Sequence, residues 1–207
     1  MNVVGIIHFN LAIAPHWLIQ ADKKLFAIVN QQLTHPMLDA VAPWWRESIT
    51  WTPLYLFLII FAAINWKKSS IPWIAMALVT ILLSDQISSS VIKPLFARLR
   101  PCNDPGWAGS VRLLLDGCGA GYSFTSSHAA NHFALAIYLT NTLRSFFPKW
   151  LPTVLLIWAA SVAYAQMYVG VHYPLDVLGG ALLGAAIGLL TSRFFIHKLG
   201  GLPIENN

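Results

Sequence analysis

Residues 174–195 read PLDVLGGALLGAAIGLLTSRFF, an apolar run with one acidic residue, Asp176, near its start and one arginine near its end. The run is long enough to cross a bilayer as a helix, which takes about 20 residues. Gly180, Gly184 and Gly188 repeat in register with Asp176. Small residues at this spacing let membrane helices approach closely. The pattern predicts a helix packed in a core behind a functional site, with dimerisation through the glycines as the alternative.

Four further stretches have the length and apolar composition of membrane spans. They are residues 51–66, 71–92, 126–147 and 150–167. Lipid offers the backbone no hydrogen-bond partners, so each stretch should be a helix. The sequence therefore predicts an all-α integral membrane helical bundle with about five transmembrane helices. Asp85 lies inside one span and is expected to form a structural hydrogen bond between helices.

The composition of the whole chain fits this class of protein. Of its 207 residues, 57% are hydrophobic and 10% are charged, whereas soluble domains carry about 25% charged residues. The net charge is +5, without a long run of Lys and Arg. The apolar spans leave little surface for a duplex, so a nucleic acid is not an expected partner. We expect a single domain over residues 1–207, with an interfacial region at 1–50 and a transmembrane core at 51–196.

The N-terminal region has a different hydrophobic pattern from the spans. Leu25, Phe26, Val29 and Leu33 recur at helical spacing after three charged residues. This pattern is typical of an amphipathic helix on the membrane interface, with an ordinary soluble-type helix as the alternative. The mostly apolar residues 3–14 are expected to lie at the membrane surface.

The charges of the loops predict the orientation of the bundle. With five spans, the loops 93–125 and 168–173 lie on one side of the membrane. The basic residues that fall on the other side are Lys67, Lys68, Arg144, Lys149, Arg193 and Lys198. Cytoplasmic loops are enriched in such residues, so the two loops should face outward. Cys102 and Cys118 lie in the first of these loops, and the sequence leaves open whether they form a disulfide or remain as thiols.

Five side chains with complementary chemistry meet on that outer side. His128 lies at the start of the third span, where Thr125 or Ser126 can act as the N-cap and free N–H groups favour an anion. His172 precedes the last helix, and Asp176 in its first turn can reach back to orient the imidazole. Lys93 and Arg100 bring positive charge, which phosphoryl transfer requires.

Three segments together resemble the signature of the type-2 phosphatidic acid phosphatase superfamily. That signature is Lys, six residues, Arg-Pro; then Pro-Ser-Gly-His; then Ser-Arg, five residues, His, three residues, Asp. The residues that match it are Lys93, Arg100, Pro101, Ser126, His128, His172 and Asp176. The residues that depart from it are Thr125, Ser127, Ala165 and Gln166. The resemblance covers about residues 90–195.

The resemblance implies a membrane lipid phosphatase that uses no metal or other cofactor. His172 would be the nucleophile that forms a phosphohistidine, Asp176 would orient it, and His128 would be first the general acid and then the base. The implied phosphate-binding groups are Lys93, Arg100, Ser126 and the backbone of Ser127. The implied substrates are undecaprenyl diphosphate, phosphatidylglycerol phosphate, phosphatidic acid or the lipid A 1-phosphate. The implied location is a bacterial inner membrane, with the active site facing the periplasm or exterior.

Gln166 stands where the signature has arginine, which would clamp a phosphate with two charged hydrogen bonds. Glutamine keeps two N–H donors without the charge, and we expect Gln166 to contact the phosphate. Arg98 or Arg112 is an alternative source of the missing charge, and a weak or inactive enzyme is a third interpretation. A lipid phosphotransferase, and a non-catalytic lipid-binding or transport protein on the same fold, are the alternative functions.

Overall fold

The computed structural model of the protein describes residues 15–203, and the regular segments within them are all helical. The eight α-helices of this part of the chain are α1 (His16–Ala27), α2 (Pro36–Trp45), α3 (Thr52–Trp66), α4 (Ser70–Gln86), α5 (Lys93–Phe96), α6 (Ser127–Leu143), α7 (Leu151–Tyr168) and α8 (Pro174–Lys198). A π-helical segment, Ile87–Ile92, joins α4 to α5. Another, Ile28–Gln32, continues α1. The predicted surface segment 3–14 lies outside the described residues.

The structure confirms the predicted all-helical membrane fold. Among the described residues, three stretches are long and apolar enough to cross a membrane, namely Ser48–Trp107, Leu151–Tyr168 and Pro174–Lys198. The first contains both α3 and α4, which contact each other and are separated by the short segment Lys67–Ser69. The total of five spans remains a prediction.

The glycines of α8 form a contact surface for α6, which lies in the centre of the bundle. A Cβ atom on Gly184 would lie 2.1 Å from the backbone oxygen of Ala130. On Gly188 it would lie 2.3 Å from the oxygen of Ala134. Only glycine permits backbones this close. The glycine repeat therefore packs α8 against α6 in the core. This agrees with the first interpretation of the repeat, a packed core behind the site.

Polar side chains join the helices inside the bundle. The amide of Asn131 on α6 donates to Asp85 Oδ1 on α4 over 3.2 Å, which confirms the interhelical hydrogen bond predicted for Asp85. Deeper in the bundle, Thr80 donates to Thr191 on α8 over 2.8 Å. These bonds satisfy groups that would be costly to leave unpaired in an apolar environment.

The N-terminal helix packs against protein as well as facing outward. Phe26 is fully buried, and its ring meets those of Trp107 and Tyr173 edge-on, each at a centroid distance of 5.3 Å. Leu25 and Leu33 remain exposed. The predicted amphipathic helix begins at His16, before the three charged residues, and its buried face covers the outer loop.

The outer loop between α5 and α6 is closed by a disulfide between Cys102 and Cys118, which answers the question that the sequence left open. Asp104 ties the same loop to its surroundings. Its carboxylate accepts hydrogen bonds from Lys23 over 2.8 Å and from the Tyr173 hydroxyl over 2.7 Å. The loop is thereby held between α1 and the start of α8.

Candidate active site

The helices that carry the predicted chemistry begin where the sequence indicates. Ser126 is the N-cap of α6, and its hydroxyl accepts a hydrogen bond from an amide in the first turn over 3.4 Å. Pro174 is the first residue of α8, and Asp176 accepts a hydrogen bond from the Tyr173 amide over 2.7 Å. The Ser126 amide donates to the Asp176 carbonyl over 2.9 Å. This bond ties the two helix starts together and brings His128 towards the loop before α8.

His172 and Asp176 are connected through a third residue. Their closest atoms, Nδ1 and Oδ2, are 3.7 Å apart, which is too long for a hydrogen bond. The Ser123 hydroxyl lies 3.3 Å from Nδ1 of His172 and 2.5 Å from Oδ2 of Asp176. An ionised carboxylate only accepts hydrogen bonds. Ser123 therefore donates its hydroxyl proton to a hydrogen bond with Asp176, and its oxygen can accept a hydrogen bond from the Nδ1–H group of His172.

The other nitrogen of the His172 ring faces Arg100. Nε2 lies 3.3 Å from Nη1 of Arg100. A guanidinium only donates hydrogen bonds, so Nε2 must be the unprotonated nitrogen. The proton then resides on Nδ1, in agreement with the bond to Ser123. This tautomer leaves the Nε2 lone pair directed towards a cation.

The surroundings keep this imidazole neutral. Burial lowers the pKa of His172 from 6.5 to about 4. Asp176 acts in the opposite direction and raises this pKa, whereas the charges of Arg100 and Lys93 lower it further. At neutral pH the ring is therefore uncharged, as a nucleophile requires.

The Asp176 carboxylate is neutralised by Arg98. Nη1 of Arg98 lies 2.6 Å from Oδ1 of Asp176, and Nη2 donates to Asp22 on α1. The guanidinium also stacks over the Tyr173 ring, 4.1 Å from its centroid. All three charged groups are buried, so the ion pairs compensate the cost of desolvation.

The two arginines considered as replacements for the signature arginine both make contacts elsewhere in the structure. Arg98 is shared by two carboxylates, as just described. Arg112 donates to Asp39 over 2.7 Å and to the backbone oxygen of Asn30 over 3.0 Å, and its guanidinium lies over the Tyr168 ring. Both arginines thus make other contacts, while Nη2 of Arg112 is buried without a partner within residues 15–203. The alternative that one of them supplies the missing charge stays a prediction.

His128 lies close to the other predicted groups. It lies in the first turn of α6, and the amide of the N-cap Ser126 donates to the Asp176 carbonyl at the start of α8. Its backbone oxygen accepts a hydrogen bond of 2.8 Å from Nδ1 of His132, one turn further along α6. The structure thus brings the two predicted histidines together at the helix starts.

Two of the predicted cations have N–H donors without a hydrogen-bond partner within residues 15–203. The Lys93 ammonium makes no hydrogen bond or ion pair within residues 15–203. The Nε atom of Arg100 is buried without a partner in the same part of the chain. Both cations act electrostatically on His172. Over these residues, no group of three or more His, Cys, Asp and Glu side chains is arranged to hold a metal ion.

The hydroxyls of the two predicted serines point into the structure. Ser126 caps α6, and the Ser127 hydroxyl lies 2.9 Å from that of Ser88. The first amides of a helix lack intrahelical partners, so the N–H groups of Ser127 and His128 remain available. A helix N-terminus of this kind attracts an anion.

Gln166 is fully buried, and its side-chain oxygen accepts a hydrogen bond of 3.1 Å from Nε of Arg46. Neither Arg46 nor Ser123 was predicted from the sequence as a site residue. Arg46 follows α2 and is separated from Gln166 by 120 residues. No local pattern marks such a contact in one sequence.

An apolar groove with a volume of about 650 Å³ lies along the outside of the bundle. Residues from the N-terminal segment and from α6, α7 and α8 line it, including Leu25, Val29, Phe133, Met167, Leu178 and Ala181. Pro174 at the start of α8 is also part of its wall. The groove therefore reaches the level of the candidate site.

Membrane-spanning helices with histidines and cations gathered at one end define a class of membrane enzymes that act on phosphate esters. The chain belongs to the PAP2 superfamily, whose family model matches residues 74–198. This result confirms the family resemblance seen in the sequence, and with it the assignment as a membrane lipid phosphatase.

Relatives that are named as lipid phosphatases support that assignment. A lipid A 4'-phosphatase of Bacteroides thetaiotaomicron is 33% identical over 88% of this chain and 80% of that protein. An undecaprenyl-diphosphatase of Sulfolobus acidocaldarius is 31% identical over 81% of this chain and 75% of that protein. The crystal structure of a PAP2-type phosphatidylglycerolphosphate phosphatase from Bacillus subtilis superimposes with a TM-score of 0.71 at 22% identity, covering 88% of each chain. At that identity the last comparison shows the fold alone.

Proposed function

We propose that this protein hydrolyses a phosphate ester of lipid A through a phosphohistidine intermediate on His172. The observation that carries the mechanism is the hydrogen-bond path from Arg100 through His172 and Ser123 to Asp176. The choice of lipid follows the name of the Bacteroides relative, and for the same reason the 4' position replaces the 1-phosphate expected from the sequence. Undecaprenyl diphosphate is the second candidate.

In the first step, Nε2 of His172 attacks phosphorus in line with the leaving oxygen. The N–P bond forms while the P–O bond to the lipid breaks, and His128 gives its proton to the departing oxygen. The positive charge that develops on the His172 ring is stabilised through Ser123 by Asp176. Orienting the ring in this way also fixes the tautomer that can attack.

In the second step, water attacks the phosphohistidine. His128 now takes the proton from the water, the new O–P bond forms, and the bond to Nε2 breaks. Inorganic phosphate leaves, and the ring of His172 returns to its neutral state. Each group ends as it began, so no further reactant is needed.

The phosphate is held by charges and by helix amides. Arg100 lies beside His172 and has a buried donor without a partner within residues 15–203. The charge of Lys93 also acts on His172, and the first-turn amides of Ser127 and His128 would complete the phosphate site. Such donors stabilise the charge on the equatorial oxygens of the transferring group, where the barrier is most sensitive to them. The hydroxyl of Ser126 supports this site from the N-cap.

The apolar groove supports a lipid as the substrate. It is open to the outside of the bundle and lined almost entirely by carbon, so a hydrocarbon chain can lie in it while the headgroup reaches His172. We place the protein in a bacterial inner membrane with this site on the outer side, because the loop charges favour that orientation.

The test is phosphate release from a panel of lipids by purified protein in detergent, with EDTA present. The panel contains lipid A, undecaprenyl diphosphate, phosphatidylglycerol phosphate and phosphatidic acid. We expect lipid A to lose its 4'-phosphate fastest and His172→Ala to release none. Loss of all activity in EDTA, or equal activity of the variant, would contradict the mechanism. A competing lipid acceptor that captures the phosphate would identify a phosphotransferase instead.

A further inference from the structure

Gln166 stands at the position where the family signature has arginine, and it makes a buried contact with Arg46. Arg46 lies between α2 and α3, outside the three signature segments, and only 12% of its side chain is exposed. Its Nε donates to Oε1 of Gln166 over 3.1 Å. An arginine from elsewhere in the chain therefore stands next to the residue that replaces the missing one.

This bond fixes the orientation of the Gln166 amide. The Nε group of arginine can only donate, so the oxygen of Gln166 must face Arg46 and its nitrogen must point away. That nitrogen, Nε2, is buried and has no hydrogen-bond partner within residues 15–203. A buried donor is seldom left unpaired in a folded protein, so the position calls for an acceptor from a ligand.

Arg46 also lies close to the groups that surround the reacting centre. Its charge acts on both Arg100 and His128. One edge of its guanidinium is bound by Glu47, which is itself half exposed. Together with Lys93, the arginines form a concentration of positive charge that a phosphate group would neutralise.

The packing of α2 holds Arg46 in this place. The preceding residue, Trp45, donates to the Ser161 hydroxyl on α7 over 2.8 Å. About two helix turns earlier in α2, Asp39 receives a hydrogen bond from the Tyr168 hydroxyl near the end of α7. Gln166 belongs to the same stretch of α7, so both partners are fixed by one helix pair.

We propose that Arg46, held by Gln166, binds the substrate phosphate and supplies the charge that the family signature places at position 166. Gln166 donates a second hydrogen bond, from Nε2, to the same group. This inference rests on the proposed function, since it assigns a further residue to the same phosphate site. The hypothesis that Gln166 contacts the phosphate is kept, with its lost charge restored from another segment.

The test moves the charge between the two positions. Arg46→Gln should lower kcat/KM for the preferred lipid at least 100-fold, because one transition-state donor is commonly worth that much. The double variant Arg46→Gln/Gln166→Arg should recover to within about tenfold of the wild type, as the charge returns to the signature position. Arg144→Gln, which removes an exposed arginine after α6, is the matched control and should keep full activity. A folded double variant as inactive as the single one, or an active Arg46→Gln, would overturn the proposal.

Gln166→Glu provides an independent variant that preserves the packing. The new carboxylate would pair with Arg46 and maintain the contact, but it would cancel the charge and repel phosphate. We expect at least a 100-fold loss of kcat/KM with an unchanged melting temperature. A purely structural contact would instead leave activity unchanged, and that result would refute the proposal.

Binding of inorganic phosphate separates this inference from the proposed function. Millimolar phosphate should raise the melting temperature of the wild type and of Arg144→Gln equally, and it should raise that of Arg46→Gln by clearly less. If the wild type binds phosphate through Arg46 yet hydrolyses no lipid in the panel, the proposed function fails while the assignment of Arg46 stands. Equal phosphate stabilisation of all three proteins would contradict the assignment itself.

Discussion

The Nδ1 atom of His172 lies 3.7 Å from Oδ2 of Asp176, and the Ser123 hydroxyl connects the two. The predicted orientation of the histidine by the aspartate is therefore indirect in this structure. Because Ser123 is fully buried, water has little access to the connection. The serine acts as a positioning residue, through which the Asp176 charge reaches the ring.

Replacing Ser123 with alanine should lower kcat about 10- to 100-fold, the usual effect of losing a partner that orients a functional histidine. The KM should change little, because Ser123 faces the ring nitrogen remote from the substrate. Steady-state phosphate release and the rate of phosphoenzyme formation both measure the effect. Ser90→Ala, at an exposed serine of the segment Ile87–Ile92, is the control. A Ser123→Ala protein with normal kcat would show that the direct contact between His172 and Asp176 is sufficient.

Asp22 connects the N-terminal helix to the site through Arg98. Asp22→Asn leaves Arg98 with one carboxylate in a buried setting, and breaking a buried ion pair commonly costs about 3–5 kcal/mol. We expect a clear fall in the melting temperature in detergent, accompanied by lower activity as Asp176 loses its fixed partner. Asp116→Asn, at an exposed aspartate of the outer loop, should leave both unchanged. Equal melting temperatures for the two variants would mean that α1 contributes little to the fold.

His172 should make the stability of the protein depend on pH. Its pKa is 6.5 in the reference state and about 4 in the fold, so the unfolded chain binds more protons between these values. Stability therefore decreases as the pH falls from 6.5 towards 4, by up to about 3 kcal/mol from this group. The melting temperature of the wild type should drop more over this range than that of His172→Asn. Parallel curves for the two proteins would contradict the buried, neutral state of the ring.

Gly184 tests the close contact of α8 with α6. In Gly184→Ala, the new Cβ would lie 2.1 Å from the oxygen of Ala130, so the helices must move apart. Overpacking of this kind costs about 1–3 kcal/mol, and activity should fall because both helices carry site residues. Ala186→Val adds carbon on the exposed side of α8 and should be tolerated. A fully active and stable Gly184→Ala protein would show that α6 and α8 can accommodate an added Cβ atom at this contact.

Hydrophobic runs and motif spacing predict much of this molecule. Lengths of apolar sequence predicted the helical membrane fold, and the glycine repeat predicted the face of α8 that packs inward. The spacing of His128, His172 and Asp176 predicted residues that the structure brings together. These features follow from local periodicity and from helix ends, which a single sequence contains.

Contacts between distant segments could not be predicted in the same way. Arg46 and Gln166 are separated by 120 residues, and Asp22 and Arg98 by 76. The N-terminal segment looked like a surface helix because its apolar positions fit either lipid or protein. Ser123 was not predicted as a site residue, since a serine carries no signal of the partner it will meet. Tertiary packing alone determines these pairs.

The role of His172 as the nucleophile is tested by measuring whether phosphate becomes attached to it during turnover. The protein is mixed with a radiolabelled lipid phosphate that the wild type hydrolyses, quenched in alkali, and analysed for label on the chain. We predict a label that is stable in base, is lost in acid, maps to His172 and is absent from a folded His172→Asn variant. Phosphate release without a labelled protein, or a label on another residue, would contradict the assignment of His172 as the nucleophile.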